Sequence, residues 1–243
     1  MRTQVWSCGG GVQSAAIAAL IVQGRLPKPD LSVIVDTERE KSSTWAYMDS
    51  VLTPNLAKVG VEIVRVKKSQ FATVDLYRND DILMPMYTAT GKLPTLCSNE
   101  WKRRVIMRYL RSLSVKEARV WMGISADEMQ RVRMDSPPKW FQMYYPLVFD
   151  VRMRRVECVA LVESMGWPKP PRSSCWMCPN MGDAEWRELS NADLAKAAAL
   201  ELEIQAKDPE LFLHKSQKHV LSQPFNDSLP GDESECQTGF CFV

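Results

Sequence analysis

The sequence predicts an α/β fold, a three-layer α/β/α sandwich around a parallel sheet. In the first half of the chain, short apolar runs typical of buried strands alternate with longer segments of helical periodicity. This alternation favours parallel strands joined by right-handed helical crossovers. The first strand also ends in three consecutive glycines and passes directly into a helix, which is typical of the ligand-binding edge of such sheets.

The individual elements of this first half follow from their periodicity. Each expected strand is a compact apolar run, and each expected helix places apolar residues three and four positions apart. Segment 67–96 has neither period and contains scattered proline and glycine, so we expect a partly helical surface insert there. The expected strands are 5–6, 31–35, 61–66 and 119–124, and the expected helices are 15–23, 42–60 and 101–113.

The glycine turn runs from Ser7 to Ser14 and has the pattern of an anion site. Glycines accept backbone angles closed to other residues, and the free amides at the start of the following helix favour an anion. No Lys-Ser or Lys-Thr pair follows, so the turn is not a Walker loop, and Ser14 replaces the third glycine of the dinucleotide fingerprint. The residues of the turn alone leave open a phosphate site or a plain glycine-rich turn.

The turn resembles the pyrophosphate-binding loop of the PP-loop ATPases, or adenine nucleotide alpha hydrolases. Its form, Ser-x-Gly-Gly-Gly-x-Gln-Ser, is that of the phosphoadenosine phosphosulfate reductase-like family. Segments 36–44, 96–102, 123–131 and 173–179 resemble further motifs of this family, in the same order. The resemblance implies a Rossmann-like, HUP-type sheet with the nucleotide over the carboxyl ends of strands one, two and four.

The chemistry of the family implies cleavage of ATP between its α and β phosphates. Adenylation would activate an acceptor oxygen, and sulfur would then displace AMP. We therefore predict an enzyme, an ATP pyrophosphatase that transfers sulfur to a nucleic acid or nucleotide with an iron–sulfur cluster. Two alternatives stay open: a reductase of a sulfonucleotide similar to PAPS, and a non-catalytic nucleotide-binding partner subunit with a structural metal site.

The resemblance also assigns residues around the nucleotide. Asp127 is expected to organise Mg²⁺, and Arg131 is expected to neutralise phosphate charge. Gln13 departs from the family pattern, because many members have Asp directly before the last serine of the loop. The residues expected to bind the nucleotide are Ser7, Gly9, Gly10, Gly11, Gln13, Ser14, Asp36, Thr37, Gly123 and Ser125.

Four of the seven cysteines are candidate metal ligands. Cys175 and Cys178 form a Cys-x-x-Cys pair in which one turn can point two thiolates at one metal, and Cys97 and Cys158 are candidates for the other two ligands. Four thiolates can coordinate a [4Fe-4S] cluster or a structural zinc ion. The remaining alternative is reduced cysteines that bind no metal. The resemblance favours the cluster, because several PP-loop sulfur-transfer enzymes carry one.

Two further cysteines, Cys236 and Cys241, lie in a terminal segment with little apolar content before Phe240. We predict a catalytic role in which one of them carries a persulfide and the other resolves it as a disulfide. A frayed terminus whose thiols take no part in the reaction is the alternative.

Composition and charge narrow the range of cell compartments and binding partners that we expect for the protein. The formal charge of +2 over 243 residues gives no general attraction to nucleic acid or membrane, so such contacts need a local patch. The helix at 101–113 offers one, with five cations and no acid between Lys102 and Arg111. The chain has no long apolar span and no signal-peptide pattern at its start, which favours a reducing, cytoplasmic setting. The expected partners are a nucleic acid or nucleotide acceptor and a sulfur donor such as a cysteine desulfurase, without membrane contact, and a homodimer is left open.

The character of the chain changes near Asp150, where we place a domain boundary. Residues 1–150 are expected to form the PP-loop nucleotide-binding domain. Residues 151–243 are expected to form a mainly helical metal-site region that ends in an irregular tail, because proline, glycine and asparagine are frequent from Lys207 onward. The helices expected in this region are 156–165, 184–189 and 192–206.

Overall fold

The structure, a computed structural model, describes residues 2–71, 74–133, 138–222 and 225. The strands are β1 (Thr3–Ser7), β2 (Leu31–Asp36), β3 (Ile63–Lys67), β4 (Tyr77–Arg78), β5 (Asp81–Ile82), β6 (Tyr87–Thr88), β7 (Gly91–Lys92), β8 (Ala118–Met122) and β9 (Phe141–Tyr144). The α-helices are α1 (Val12–Val22), α2 (Ser42–Tyr47), α3 (Thr53–Ala57), α4 (Lys68–Phe71), α5 (Arg104–Ser112), α6 (Pro146–Phe149), α7 (Arg155–Ser164), α8 (Asp183–Arg187) and α9 (Asn191–Gln205).

Five of the strands form one parallel sheet in the order β3-β2-β1-β8-β9. Alternate strand residues point to opposite faces of this sheet, which divides the core into two layers. Trp6, Ile34 and Trp121 pack with α1 and α7 on one face, whereas Val33 and Val120 pack with α5 on the other. The three-layer α/β/α fold expected from the sequence is therefore confirmed.

The order of the strands places β1 at the centre of the sheet. The chain reaches β2 and β3 on one side of β1 and then crosses back to β8 on the other side. The glycine turn follows β1 directly, so it lies where the direction of winding reverses. In open α/β sheets, ligands bind at this position.

Two parts of the chain differ from the elements expected from the sequence. The insert after β3 contains the short helix α4, and its described residues also form two antiparallel hairpins, β4–β5 and β6–β7. The edge strand β9 was not expected, because a run of four residues is too short to show a clear period. The helix expected over 42–60 is present as α2 and α3, joined by the π-helical segment Met48–Leu52.

A second hydrophobic cluster lies beside the sheet. It combines the two hairpins with α8, α9 and the segment that follows α9, around Trp101, Trp186 and Leu213. Helix α7, by contrast, packs against α1 in the layer that covers the sheet. The domain boundary near Asp150 stays a prediction. None of the helices in the described ranges is long and apolar enough to cross a membrane.

A buried carboxylate organises the segment that follows α9. Glu201 is fully buried, and its two oxygens accept backbone hydrogen bonds of 2.8 Å from the amides of Leu213 and Val220. The ring of His219 lies 3.5 Å from the same carboxylate. Glu201 therefore supplies the hydrogen bonds that this irregular segment cannot make within a helix or strand.

We expect Glu201→Ala to lower the free energy of unfolding by about 2–4 kcal/mol, because two buried amides lose their acceptors. Urea denaturation followed by circular dichroism measures this change. Glu203→Ala, at an exposed position of the same helix, is the matched control and should change the stability by less than about 0.5 kcal/mol. An equal loss in the two variants would contradict the role of Glu201.

Candidate functional site

The glycine turn has the backbone geometry that the sequence predicted for it. Gly10 has a φ of +74°, and a Cβ atom added there would lie 2.8 Å from Cγ2 of Thr44. The amide of Gly9 donates a 2.8 Å hydrogen bond to the hydroxyl of Ser14, which closes the turn from inside. Gly11 occupies the N-cap of α1 and offers no side chain to the first amides of that helix. The turn thus presents a helix N-terminus that can take an anion.

One cavity of about 380 Å³ connects the glycine turn to the cysteines. The phosphate end, as we call it, is the end beside the start of α1, where Gly11 and Gln13 line the wall. The cysteine end is the part of the wall that contains Cys97, Cys175 and Cys178. The other residues of the wall that the site depends on are Thr37, Cys97, Lys102, Asp127, Glu128, Arg131, Arg155, Arg172, Cys175, Cys178 and Glu185.

At the phosphate end, Gln13 and Glu128 connect α1 to the loop after β8. The amide nitrogen of Gln13 donates a 2.7 Å hydrogen bond to Glu128, and the hydroxyl of Ser125 donates one of 2.9 Å to the same carboxylate oxygen. The guanidinium of Arg131 pairs with the other oxygen of Glu128. Gln13, Ser125 and Arg131, three residues expected at the nucleotide, therefore form one hydrogen-bonded unit around Glu128.

Asp127 lies in the same loop but uses its carboxylate differently. Both of its oxygens accept the backbone amide of Arg155, at 3.0 and 3.2 Å, so Asp127 holds the first turn of α7. Its expected role in organising Mg²⁺ stays a prediction. Glu128, which carried no assigned role in the sequence, is the neighbouring carboxylate that contacts the start of α1.

Backbone hydrogen bonds hold the cysteine end of the cavity against the segment that follows β2. Glu40 and Cys175 form an antiparallel bridge, and backbone hydrogen bonds of 2.8 and 3.2 Å flank it between segments 39–41 and 174–176. The hydroxyl of Thr37 lies 3.5 Å from the sulfur of Cys175. A residue expected to bind the nucleotide thus contacts a candidate metal ligand.

Lys102 extends into this end of the cavity from the segment before α5. Its amine lies 3.2 Å from a carboxylate oxygen of Glu40. Burial alone would lower the pKa of Lys102, but the charges of Glu40, Cys175 and Cys178 offset this effect, and the net pKa is raised. The sequence indicates this orientation. Val105 and Ile106 face the core, and helix residues three and four positions apart share one face, so Lys102 also points inward.

The three cysteines of the cavity wall are half-buried thiols. Burial raises the pKa of Cys97 to about 12 and also raises the pKa values of Cys175 and Cys178, with the neighbouring sulfurs adding to the effect on Cys97 and Cys175. Cys158 lies elsewhere, fully buried against α1 in the core of the sheet layer. The structure therefore brings together three of the four cysteines that the sequence suggested.

The chemistry of these thiols suits zinc or an iron–sulfur cluster. Zinc needs its sulfur ligands gathered around one ion at about 2.3 Å, and within the described ranges no three Cys, His, Asp or Glu side chains are placed to hold a metal ion. In a [4Fe-4S] cluster each iron takes its own thiolate, so the ligand sulfurs lie further apart. For Cys97, Cys175 and Cys178, which line the same cavity, the iron–sulfur cluster and the zinc ion both stay predictions.

The remaining residues expected at the site have other positions. Ser7 is buried under the glycine turn, and Gly123 packs so closely on the start of α1 that an added Cβ would lie 3.3 Å from the hydroxyl of Ser14. The carboxylate of Asp36 accepts a 2.7 Å hydrogen bond from a backbone amide two residues later. Cys236 and Cys241 lie outside the described residues.

The basic face of α5 is already engaged within the protein. Arg104 pairs with the buried Glu100, and the guanidinium of Arg111 stacks 3.7 Å from the ring centre of Trp140. Arg108 donates to a backbone carbonyl of the insert. Contact between this face and nucleic acid stays a prediction.

Comparisons with known proteins give similarities at the level of structure. No family model matches the chain, and no curated protein sequence matches it. The U34-tRNA thiolase NcsA from Methanococcus maripaludis, solved with its [4Fe-4S] cluster, is 12% identical with a TM-score of 0.46, over 86% of this chain and 67% of that one. Phosphoadenylyl-sulfate (PAPS) reductase from Candida auris, solved as a phosphate complex, is 12% identical with a TM-score of 0.45, over 70% of this chain and 75% of that one. Similarities with such low identities and TM-scores assign no activity and no site to the present chain. Its fold is shown by its own strand order.

The wall around Trp101 depends on an ion-pair cluster. The guanidinium of Arg39 makes two hydrogen bonds, of 2.7 and 2.8 Å, to Asp75, and Lys68 pairs with the same carboxylate. Both cations also lie over the ring of Trp101, which lines the cavity. Burial disfavours the charged form of Asp75, but Arg39 and Lys68 offset this effect and lower its pKa to about 2.

We expect Asp75 to make the stability depend on pH in the acid range. Because its pKa is about 2 in the folded protein against an ordinary value of 3.8, its contribution is complete above pH 4 and is lost as the pH falls toward 2. Asp75→Asn should therefore flatten the fall in stability between pH 4 and pH 2, measured by urea denaturation at several pH values. Asp81→Asn, at an exposed aspartate of the neighbouring hairpin, is the control, and an unchanged acid profile in Asp75→Asn would contradict the expectation.

Proposed function

We propose that this chain is an ATP-dependent sulfur transferase of the PP-loop type. The proposal is carried by one observation, the single cavity that the glycine turn lines at one end and Cys97, Cys175 and Cys178 line at the other. A nucleotide held at the turn and a sulfur carried at the cysteines would then share one cavity, so that an activated intermediate need not leave it. Proximity of this kind is a large part of enzymatic rate enhancement.

The first step of the proposed reaction is adenylation. An oxygen of the acceptor attacks the α phosphorus of ATP, and pyrophosphate leaves. The turn supports this step because Gly11 lets the phosphates approach the main chain, while the amides at the start of α1 stabilise negative charge. A Mg²⁺ ion would accompany the phosphates, as it does in most reactions of ATP.

The second step replaces the activated oxygen by sulfur. A sulfide-level sulfur attacks the acceptor atom that bears the adenylated oxygen, and AMP leaves. When the sulfur arrives as a persulfide, a second thiol releases the sulfurated acceptor, supplies the two electrons and ends in a disulfide with the donor thiol. Cys97, Cys175 and Cys178 would hold a [4Fe-4S] cluster, which when bound supplies a Lewis-acidic iron that can bind sulfur. Lys102, paired with Glu40 at this end, adds positive charge near the sulfur and the leaving group.

We propose a nucleic acid or nucleotide as the acceptor, since both offer oxygen atoms that adenylation can activate. Mass spectrometry of candidate acceptors after reaction with ATP and a persulfide donor tests this choice. Incorporation of sulfur together with release of AMP supports the proposal. Release of sulfite from a sulfonucleotide without pyrophosphate would instead assign the chain to the reductases.

We expect Gly11→Ala to weaken ATP binding by about tenfold, because the added methyl group faces the cavity and its Cβ lies 2.9 Å from the hydroxyl of Ser173. Calorimetric titration with ATP and an assay of pyrophosphate release measure the effect. Gly24→Ala is the control, since a Cβ at Gly24 meets nothing within 4 Å and its positive φ makes it the more strained substitution. If Gly11→Ala binds ATP as the parent does, the turn is not the nucleotide site.

We expect the cysteines to separate into two groups when each is replaced by alanine and the protein is purified without air. Loss of Cys97, Cys175 or Cys178 should lower the iron content and the visible absorption, and should also lower the thermal stability, because metal binding contributes to folding. Cys158→Ala should keep its iron, since Cys158 packs in the core of the sheet layer. Loss of iron in Cys158→Ala would support the four-cysteine set expected from the sequence, and one zinc per chain in the parent would exclude the cluster.

A further inference from the structure

Four cationic side chains line the cavity, and they differ in how their charge is balanced. Lys102 pairs with Glu40 at 3.2 Å, Arg172 pairs with Glu185 at 2.9 Å, and Arg131 pairs with Glu128. Within the described ranges, the guanidinium of Arg155 has no carboxylate within ion-pair distance. Its side-chain contact is a long hydrogen bond of 3.5 Å to the amide oxygen of Gln13.

The backbone holds Arg155 in place although its charge is unbalanced. Arg155 is the first residue of α7, and its amide donates to both carboxylate oxygens of Asp127. The helix is anchored further along by Cys158 and Val162, which are fully buried against α1. The half-buried side chain of Arg155 therefore starts from a rigid base and reaches the phosphate end of the cavity.

Gln13 explains why the charge of Arg155 stays unbalanced. Its amide nitrogen donates to Glu128, which turns its amide oxygen toward Arg155. A carboxylate at this position would form an ion pair with Arg155 and would be repelled by Glu128. The neutral amide can make both contacts and leaves the positive charge of the arginine available.

We infer that Arg155 is the cation that binds the polyphosphate of the nucleotide, and that the neutral Gln13 keeps it available for this role. The inference rests on the proposed function, because it deepens the assignment of the ATP site. A guanidinium at the edge of a glycine turn can donate two parallel hydrogen bonds to phosphate oxygens, and the charge makes these bonds strong. Arg131, whose charge is balanced by Glu128, holds the loop after β8 in place instead.

Isothermal titration of the full chain with inorganic pyrophosphate, ATP and adenosine tests this assignment. Arg155→Ala should weaken the binding of pyrophosphate and ATP by about ten- to a hundredfold, the range expected for hydrogen bonds to a charged group. The affinity for adenosine should not change, and Arg155→Lys should recover part of the loss. Arg154→Ala is the matched control, because the neighbouring Arg154 is exposed and pairs with Glu157 on the surface.

Gln13→Glu gives a second test that leaves Arg155 in the chain. Gln13→Glu should weaken pyrophosphate binding when Arg155 is present. In the Arg155→Ala background the same substitution should have a much smaller effect, because it acts mainly through pairing with the arginine. Independent effects of the two substitutions would overturn the role of Gln13. Parent-like pyrophosphate affinity in Arg155→Ala, or an equal loss for adenosine, would overturn the role of Arg155. If the parent binds neither ATP nor pyrophosphate, the proposed function itself fails.

Discussion

The site depends on one short backbone pairing between parts of the chain that are far apart in sequence. The segment after β2 meets the cysteine segment through the bridge between Glu40 and Cys175, with a backbone hydrogen bond on each side. Without this pairing the glycine turn would still form, since β1 and α1 are held by the sheet and its covering layer. The cysteine segment would keep side-chain contacts such as that between Thr37 and Cys175, but it would lose the main-chain hydrogen bonds that fix its register against segment 39–41. The pairing thus makes one cavity out of two separate features, a nucleotide-type turn and a group of thiols.

Much of the fold could be predicted from the sequence because its signals are local. The apolar run from Leu31 to Val35 and the all-apolar helix after the glycine turn appear in the structure close to their expected bounds. The hairpins of the insert and β9 were missed because two-residue and four-residue strands are too short to show a period. The strands of each hairpin pair with their immediate neighbours in sequence, whereas β9 pairs with β8, which is distant from it along the chain.

The site could be predicted in outline but not in its pairings. The motif around Cys97 and the Cys-x-x-Cys pair were recognised, and the structure places Cys97, Cys175 and Cys178 on one wall. Cys158 has a position in sequence that is compatible with a ligand, but helix α7 turns it into the core of the sheet layer. Lys102 belongs to a helix that looked basic on its outer face, yet its amine lies inside, against Glu40. Ion pairs between distant segments depend on tertiary structure, so composition and spacing alone do not identify them.

The separation in sequence of the two halves of the cavity has a consequence for how the protein folds. Thr37 and Cys175, in contact through oxygen and sulfur, are 138 residues apart, whereas the glycine turn is built from neighbouring residues. Contacts between distant residues carry a larger loop-closure cost and tend to form late. During synthesis, the turn and its strand can therefore leave the ribosome and begin to fold long before the cysteine segment exists. The thiols would therefore reach their shared wall last.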